Sequence, residues 1–209
     1  MPATKSAIPL DLTPTLFKNA MAFETWLKQH HATADGLWLK IAKQGAIESS
    51  VTYPEAVEIA LCWGWIDGQK QGLDPQHFLQ RFAPRRPRSV WSKINVNKVA
   101  VLMAAGRMQA PGYAQIEAAK TDGRWAHAYD GARRSAVPDD LLAALDAEPS
   151  AKAFFATVNA ANRYAVLWRI QTAIKADTRA KRIAQLVAML ARGETIHSAQ
   201  PGKSKKPAH

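Results

Sequence analysis

The sequence predicts an α+β fold, predominantly helical, with a small antiparallel sheet in an N-terminal lobe followed by a helical C-terminal lobe. Three observations point there. Leu37-Trp38-Leu39-Lys40-Ile41-Ala42-Lys43, bounded by Gly36 and Gly45, turns to apolar and polar alternation toward its end, as a half-buried strand does. Trp65 to Lys70 and His77 to Phe82 flank a Gly72-Leu73-Asp74-Pro75 turn, as the arms of an antiparallel pair do. From Pro138 onward only helical periodicity remains.

The elements follow in order. Residues 1–18 contain three prolines and little periodicity and read as an arm laid on the surface. Asn19 is a good N-cap for a helix reaching His30, with Met21, Phe23, Trp26 and Leu27 available to face inward. Thr52 with Glu55 three residues later forms a capping box, and Pro54 sits in the first turn, where its missing N–H costs nothing. Pro84 and Pro87 end the sheet. Ser89 or Ser92 then caps a helix carrying Ile94, Val99, Val101, Leu102 and Met103 that stops at Gly106. A further helix follows Pro111 and ends near Gly123, and Trp125 to Arg134 reads as irregular. The helical lobe divides into helices at 138–146, 150–158, 161–175 and 178–192. The domain reading is an arm at 1–18, an α+β lobe at 19–130, a helical module at 131–193, and a basic tail at 194–209 whose composition is that of a disordered segment.

The chain has 209 residues, enough for one large domain or two small ones, and a single cysteine. Lone Cys62 excludes an internal disulfide and a zinc site of paired cysteines, and fits a reducing compartment. The longest run without Asp, Glu, Lys or Arg is Ala153 to Asn162, about half of what a bilayer-spanning helix needs, so no membrane span is expected. Met1 to Leu10 lacks the apolar core of a secretory signal, and the location expected is cytoplasmic.

With 28 Lys+Arg against 17 Asp+Glu the net charge is +11, and the excess is local. No acid falls between Asp74 and Glu117, where Arg81, Arg85, Arg86, Arg88, Lys93, Lys98 and Arg107 lie. The tail adds Lys203, Lys205 and Lys206, and the remainder is close to neutral. Such a stretch is either a solvated surface or a patch facing an anion: a phosphate-bearing ligand, an acidic partner or nucleic acid.

The candidate site lies in this stretch. Asp67 is within reach of Arg81 and Arg85 if the hairpin forms, and two readings stand: an Asp–Arg pair that fixes the turn, or a ligand site. In the second, Arg81, Arg85 and Ser89 hold an anion at the N-terminus of a helix beginning near 90, where free N–H groups and the helix dipole favour negative charge. Ser92 and Asn95 line the same end, one turn apart. Trp65 and Trp91 are either core or an aromatic wall for a planar ligand. The histidines lack partners at metal spacing. Cys62 reads as an inert core thiol, and neither a nucleophile elbow nor a Gly-rich phosphate loop occurs. No catalytic residue and no cofactor are assigned.

Several separated motifs also carry a resemblance. Tyr53-Pro54-Glu55-Ala56-Val57, Ala60-Leu61-Cys62-Trp63-Gly64-Trp65-Ile66-Asp67-Gly68, Phe82-Ala83-Pro84-Arg85, Ser89-Val90-Trp91-Ser92 and Asn95 resemble the signature of the YdeI/OmpD-associated, or bacteriocin-protection, family. Gly106-Arg107-Met108, Gly123-Arg124-Trp125, Val137-Pro138 and the Ile174-Lys175 to Arg182-Ile183 stretch extend it over about residues 20–193. The resemblance implies a helical C-terminal module and a role in surviving bacteriocins or cationic antimicrobial peptides, and it carries over no catalytic residue. A strongly basic chain repels a cationic peptide, so protection is expected to be indirect. The function expected is a non-enzymatic, stress-related binding protein with an anionic small molecule or acidic partner at Trp65, Asp67, Arg81, Arg85, Ser89, Trp91, Ser92 and Asn95. Arg85→Ala is expected to abolish binding and spare the fold. The alternative is a nucleic-acid-binding module that grips phosphates with residues 81–107 and the lysine tail.

Overall fold

Side-chain caps fix where the first three helices described begin. In the computed structural model, which describes residues 13–197, Asn19 Oδ1 accepts a hydrogen bond from the Ala22 N–H at 2.9 Å and opens α1 (Ala20–His30). Thr52 opens α2 (Tyr53–Cys62): its hydroxyl accepts from the Glu55 N–H while the Glu55 carboxylate accepts from the Thr52 N–H. Two otherwise orphaned donors are thereby satisfied reciprocally. Ser92 Oγ accepts from the Asn95 N–H at 3.2 Å and opens α3 (Lys93–Ala104), which therefore begins at the second of the two candidate serines. α4 (Ala110–Thr121) carries Pro111 in its first turn.

Between these helices β1 (Leu37–Ala42), β2 (Trp65–Gly72) and β3 (His77–Pro84) form one antiparallel sheet in the order β1-β3-β2. Leu37 pairs with Phe82, Trp38 with Arg81 and Leu39 with Gln80. On the other side Asp67 pairs with Phe82 but Lys70 with Gln80, so Gly68 and Gln69 together oppose Arg81 in a bulge. The bulge is held from within the sheet, where buried Gln80 donates through Nε2 to the carbonyls of Gly68 at 2.9 Å and Gln69 at 3.2 Å.

One sheet face packs on α1 through Phe23 and Phe82, whose ring centroids lie 5.7 Å apart, with Leu27, Leu37, Leu39 and Ile41 buried in the same core. α2 and α4 approach so closely that a Cβ on Gly112 would collide with the Cys62 carbonyl, and the Gln109 N–H donates to that oxygen at 3.2 Å. Of the N-terminal arm, residues 13–18 are described. There Thr15 bridges β1 in parallel, donating to the Trp38 carbonyl and accepting from the Lys40 N–H, both at 2.9 Å. Residues 1–12 lie outside the described residues.

The chain divides into two compact units between Ala126 and His127. The second unit contains α5 (Asp139–Asp146), α6 (Pro149–Thr157), α7 (Ala160–Gln171) and α8 (Ala176–Ala191). Its core joins Leu141, Leu145, Phe155, Val166, Ile170, Ile183, Leu186 and Leu190. α7 stops at Gln171, short of the expected 175, because arginines of α8 take the carbonyls at its end. Arg182 Nη1 donates to the Arg169 carbonyl at 2.6 Å and Arg179 Nη1 to that of Ile170 at 3.1 Å. Of the tail, His197 is tied to Asn162 by two hydrogen bonds; Lys203, Lys205 and Lys206 lie outside the described residues. Among the described residues no helix is long and apolar enough to cross a membrane.

Candidate functional site

The bulged strand β2, the end of β3 and the turn that follows line one cleft of about 690 Å³. Arg81, Arg86 and Arg88 all line it, together with Trp38, Ile66, Asp67, Gln69, Gln71, Ser89 and Val90. Arg81 is the cross-strand neighbour of Trp38. Its Nη2 lies 2.8 Å from the place a Gly36 Cβ would take, and Gly36 has φ +152°, so the guanidinium rests where only glycine leaves room. Trp38 is 1% exposed, and its indole N–H has no hydrogen-bond acceptor among the described residues.

Two buried arginines hold the turn that carries Arg86 and Arg88. Arg85 stacks its guanidinium 3.7 Å from the Trp91 ring centroid and donates through Nη2 to the Val90 carbonyl at 3.0 Å. Arg124 donates through Nη1 to the Ser89 carbonyl at 2.7 Å and through Nε to both Asp122 oxygens, at 2.7 and 2.8 Å. Hydrogen bonds from Arg124 hold the Asp122 carboxyl below its ordinary value. Between these anchors the Ser89 N–H donates to the Arg86 carbonyl at 3.0 Å. Arg88 has φ +64°, the only positive φ outside glycine among the described residues. An L-residue sustains that conformation at roughly 1–2 kcal/mol, and such strain gathers at functional turns.

Among the described residues the one carboxylate in the lining, Asp67, is already engaged. Tyr53 at the start of α2 donates its hydroxyl to Asp67 Oδ2 at 2.7 Å. Burial first, then this hydrogen bond and the Asp67 charge, push the Tyr53 hydroxyl well above its usual value, so it stays a donor.

Of the residues singled out in the sequence, the cleft brings together Asp67, Arg81 and Ser89. The other five lie elsewhere. Trp65 is core, its ring edge-on to Trp26 at 5.9 Å and its N–H donated to the His31 carbonyl at 3.1 Å. Trp91 is buried between Arg85 and the ring of Trp125, 4.9 Å away. Arg85 lies beneath the turn. Ser92 is spent on capping α3, and Asn95 supplies the N–H it caps. Asp67, read in the sequence as either the partner of an arginine or part of a ligand site, accepts from the Tyr53 hydroxyl and stands opposite Phe82 in the strand pairing. Arg86 and Arg88 belonged to the acid-free stretch without being singled out. Arg124 carried only the Gly123-Arg124-Trp125 motif, and nothing in the sequence marked Trp38 as the neighbour of Arg81.

Among the described residues no group of three His, Cys, Asp or Glu side chains is placed to hold a metal ion. Burial pushes the Cys62 thiol up to about 11, so it is protonated at neutral pH.

These features describe a two-unit α+β protein with an arginine-lined cleft on the sheet of its first unit. Residues 135–193 match the family described as Bacteriocin-protection, YdeI or OmpD-Associated. The resemblance read from the sequence is thus shown on the C-terminal segment, around Val137-Pro138 and the Ile174 to Ile183 stretch. Residues 15–115, which hold the tryptophan and arginine motifs, match a domain of unknown function, DUF8412. No curated protein and no solved structure matches the chain.

Proposed function

We propose that this is a binding protein that holds an anion in the cleft of its first unit. The observation that carries the reading is convergence: Arg81 from β3 and Arg86 and Arg88 from the following turn line one cleft whose single carboxylate among the described residues is committed to Tyr53. Guanidinium groups present several donors in a planar fork and recognise oxyanions strongly. Arg, Gln and Ser in the lining supply donors, a composition suited to binding rather than proton transfer. The description of the family matched by the second unit suggests survival of bacteriocins as the role. At a net charge of +11 the chain repels a cationic peptide, so protection works through the anionic ligand.

Titration calorimetry with inorganic sulfate tests this. The double variant Arg86→Ala/Arg88→Ala, both side chains being exposed, is expected to lose roughly tenfold or more in affinity while keeping its melting temperature. Equal sulfate affinity in the double variant overturns the proposal. So does the outcome in which only oligonucleotides bind, weaken with salt and ignore the substitutions, which leaves a basic surface for polyanions.

A further inference from the structure

The charge and shape of the cleft narrow the ligand further. Resting on the anion-binding reading above, we infer that the cleft takes a phosphate monoester of a small molecule with a planar or apolar organic part. Among the described residues three arginines and one carboxylate, Asp67, line the cleft, an excess of two positive charges. A carboxylate or a sulfate ester brings one negative charge. A phosphate monoester brings about −1.5 to −2 at neutral pH, with a second ionisation near 6. The volume says the rest: about 690 Å³ is far more than an inorganic ion fills and is of the size that holds a drug-sized organic molecule. The organic part has matching surface in the half-buried side chains of Ile66 and Val90. Arg86 and Arg88 are exposed on the strained turn that Arg85 and Arg124 hold, and they meet the phosphoryl group.

Among the described residues the charged groups lining the cleft are Arg81 on β3, Arg86 and Arg88 on the turn, and Asp67 on β2, and no histidine lines it. The ligand's own ionisation therefore supplies the pH signature, and a sulfate ester of the same organic group controls for titration of the protein. The experiment is calorimetric titration of the full chain with phenyl phosphate, phenyl sulfate and inorganic phosphate at pH 7.5 and pH 5. Phenyl phosphate is expected to bind about tenfold tighter than either comparator at pH 7.5. It should approach phenyl sulfate at pH 5, where it too is a monoanion, and lose about tenfold with Arg86→Ala, which leaves the fold intact. Phenyl sulfate equal to phenyl phosphate at pH 7.5 overturns the dianion assignment, and inorganic phosphate equal to phenyl phosphate overturns the organic part. In either case bound sulfate still supports the anion site. If neither sulfate nor any of the three compounds binds, the anion-binding reading falls as well.

Discussion

Arg85 is a buried cation whose surroundings decide what its loss does. Its guanidinium carbon sits 3.7 Å from the centre of the Trp91 ring and the group donates to the Val90 carbonyl, so it works beneath the turn and is not among the residues that line the cleft. Truncation removes a desolvated cation–π contact of about 2 kcal/mol and a charged hydrogen bond of about 1.5–3 kcal/mol. It also leaves a void beside a large ring. Arg85→Ala is therefore expected to destabilise the protein by about 2–4 kcal/mol, contrary to the intact fold that the sequence suggested. Thermal unfolding followed by circular dichroism checks this, and an unchanged midpoint refutes it. Arg85→Lys should recover only part of the loss, because an ammonium cannot lie flat on the indole. The contrast with exposed Arg86 and Arg88 separates arginines that build the turn from arginines the turn presents.

At the scale of elements, the tightest junction is that of α2 with α4. Gly112 is helical, and Gly→Ala in an ordinary exposed helix stabilises by about 1 kcal/mol. Here the added methyl would meet the Cys62 carbonyl and, at 2.7 Å, the end of Met108. Met108 can yield, but the carbonyl belongs to a buried helix end that also accepts from Gln109. Gly112→Ala is expected to destabilise by about 1–3 kcal/mol, as overpacking does; a rise in melting temperature in a thermal scan would contradict the packing. The same scale shows what was legible. Asn19 and Thr52 announced their helices because a cap is written within four residues, and the turn at Gly72 to Pro75 announced its strand pair for the same reason. The cleft depends on pairings distant in sequence. Arg81 finds Trp38 only through the β1 and β3 register, and the bulge opposite Arg81 exists because Gln80 satisfies two carbonyls across the strand pair. Arg124 reaches the turn from 35 residues away. The tryptophans could be read as core or as a ligand wall because composition reports a ring without reporting which face is covered; packing placed Trp65 and Trp91 in the core.

At the scale of the whole molecule, the two assignments fall on different units. The segment that matches the bacteriocin-protection family, 135–193, lies within the unit that begins at His127, and every residue lining the cleft lies in the unit that ends at Ala126. Each unit has its own buried core, so a substitution can be aimed at one. Leu145 is 2% exposed in the core of the second unit, and Leu145→Ala should cost about 2–5 kcal/mol there through lost transfer energy and the cavity left behind. Differential scanning calorimetry is expected to show that loss, while sulfate affinity measured well below the transition stays within twofold of the unsubstituted protein, since none of the lining residues is touched. A tenfold loss of sulfate binding in Leu145→Ala would mean that the cleft needs the second unit to be intact. With the two variants separated in this way, cells carrying either one can be challenged with a bacteriocin. Survival is expected to fall with Arg86→Ala/Arg88→Ala, whose second unit is unaltered, if protection runs through an anion in the cleft as proposed. Survival that falls only with Leu145→Ala would place protection in the helical unit and leave the cleft with a separate task.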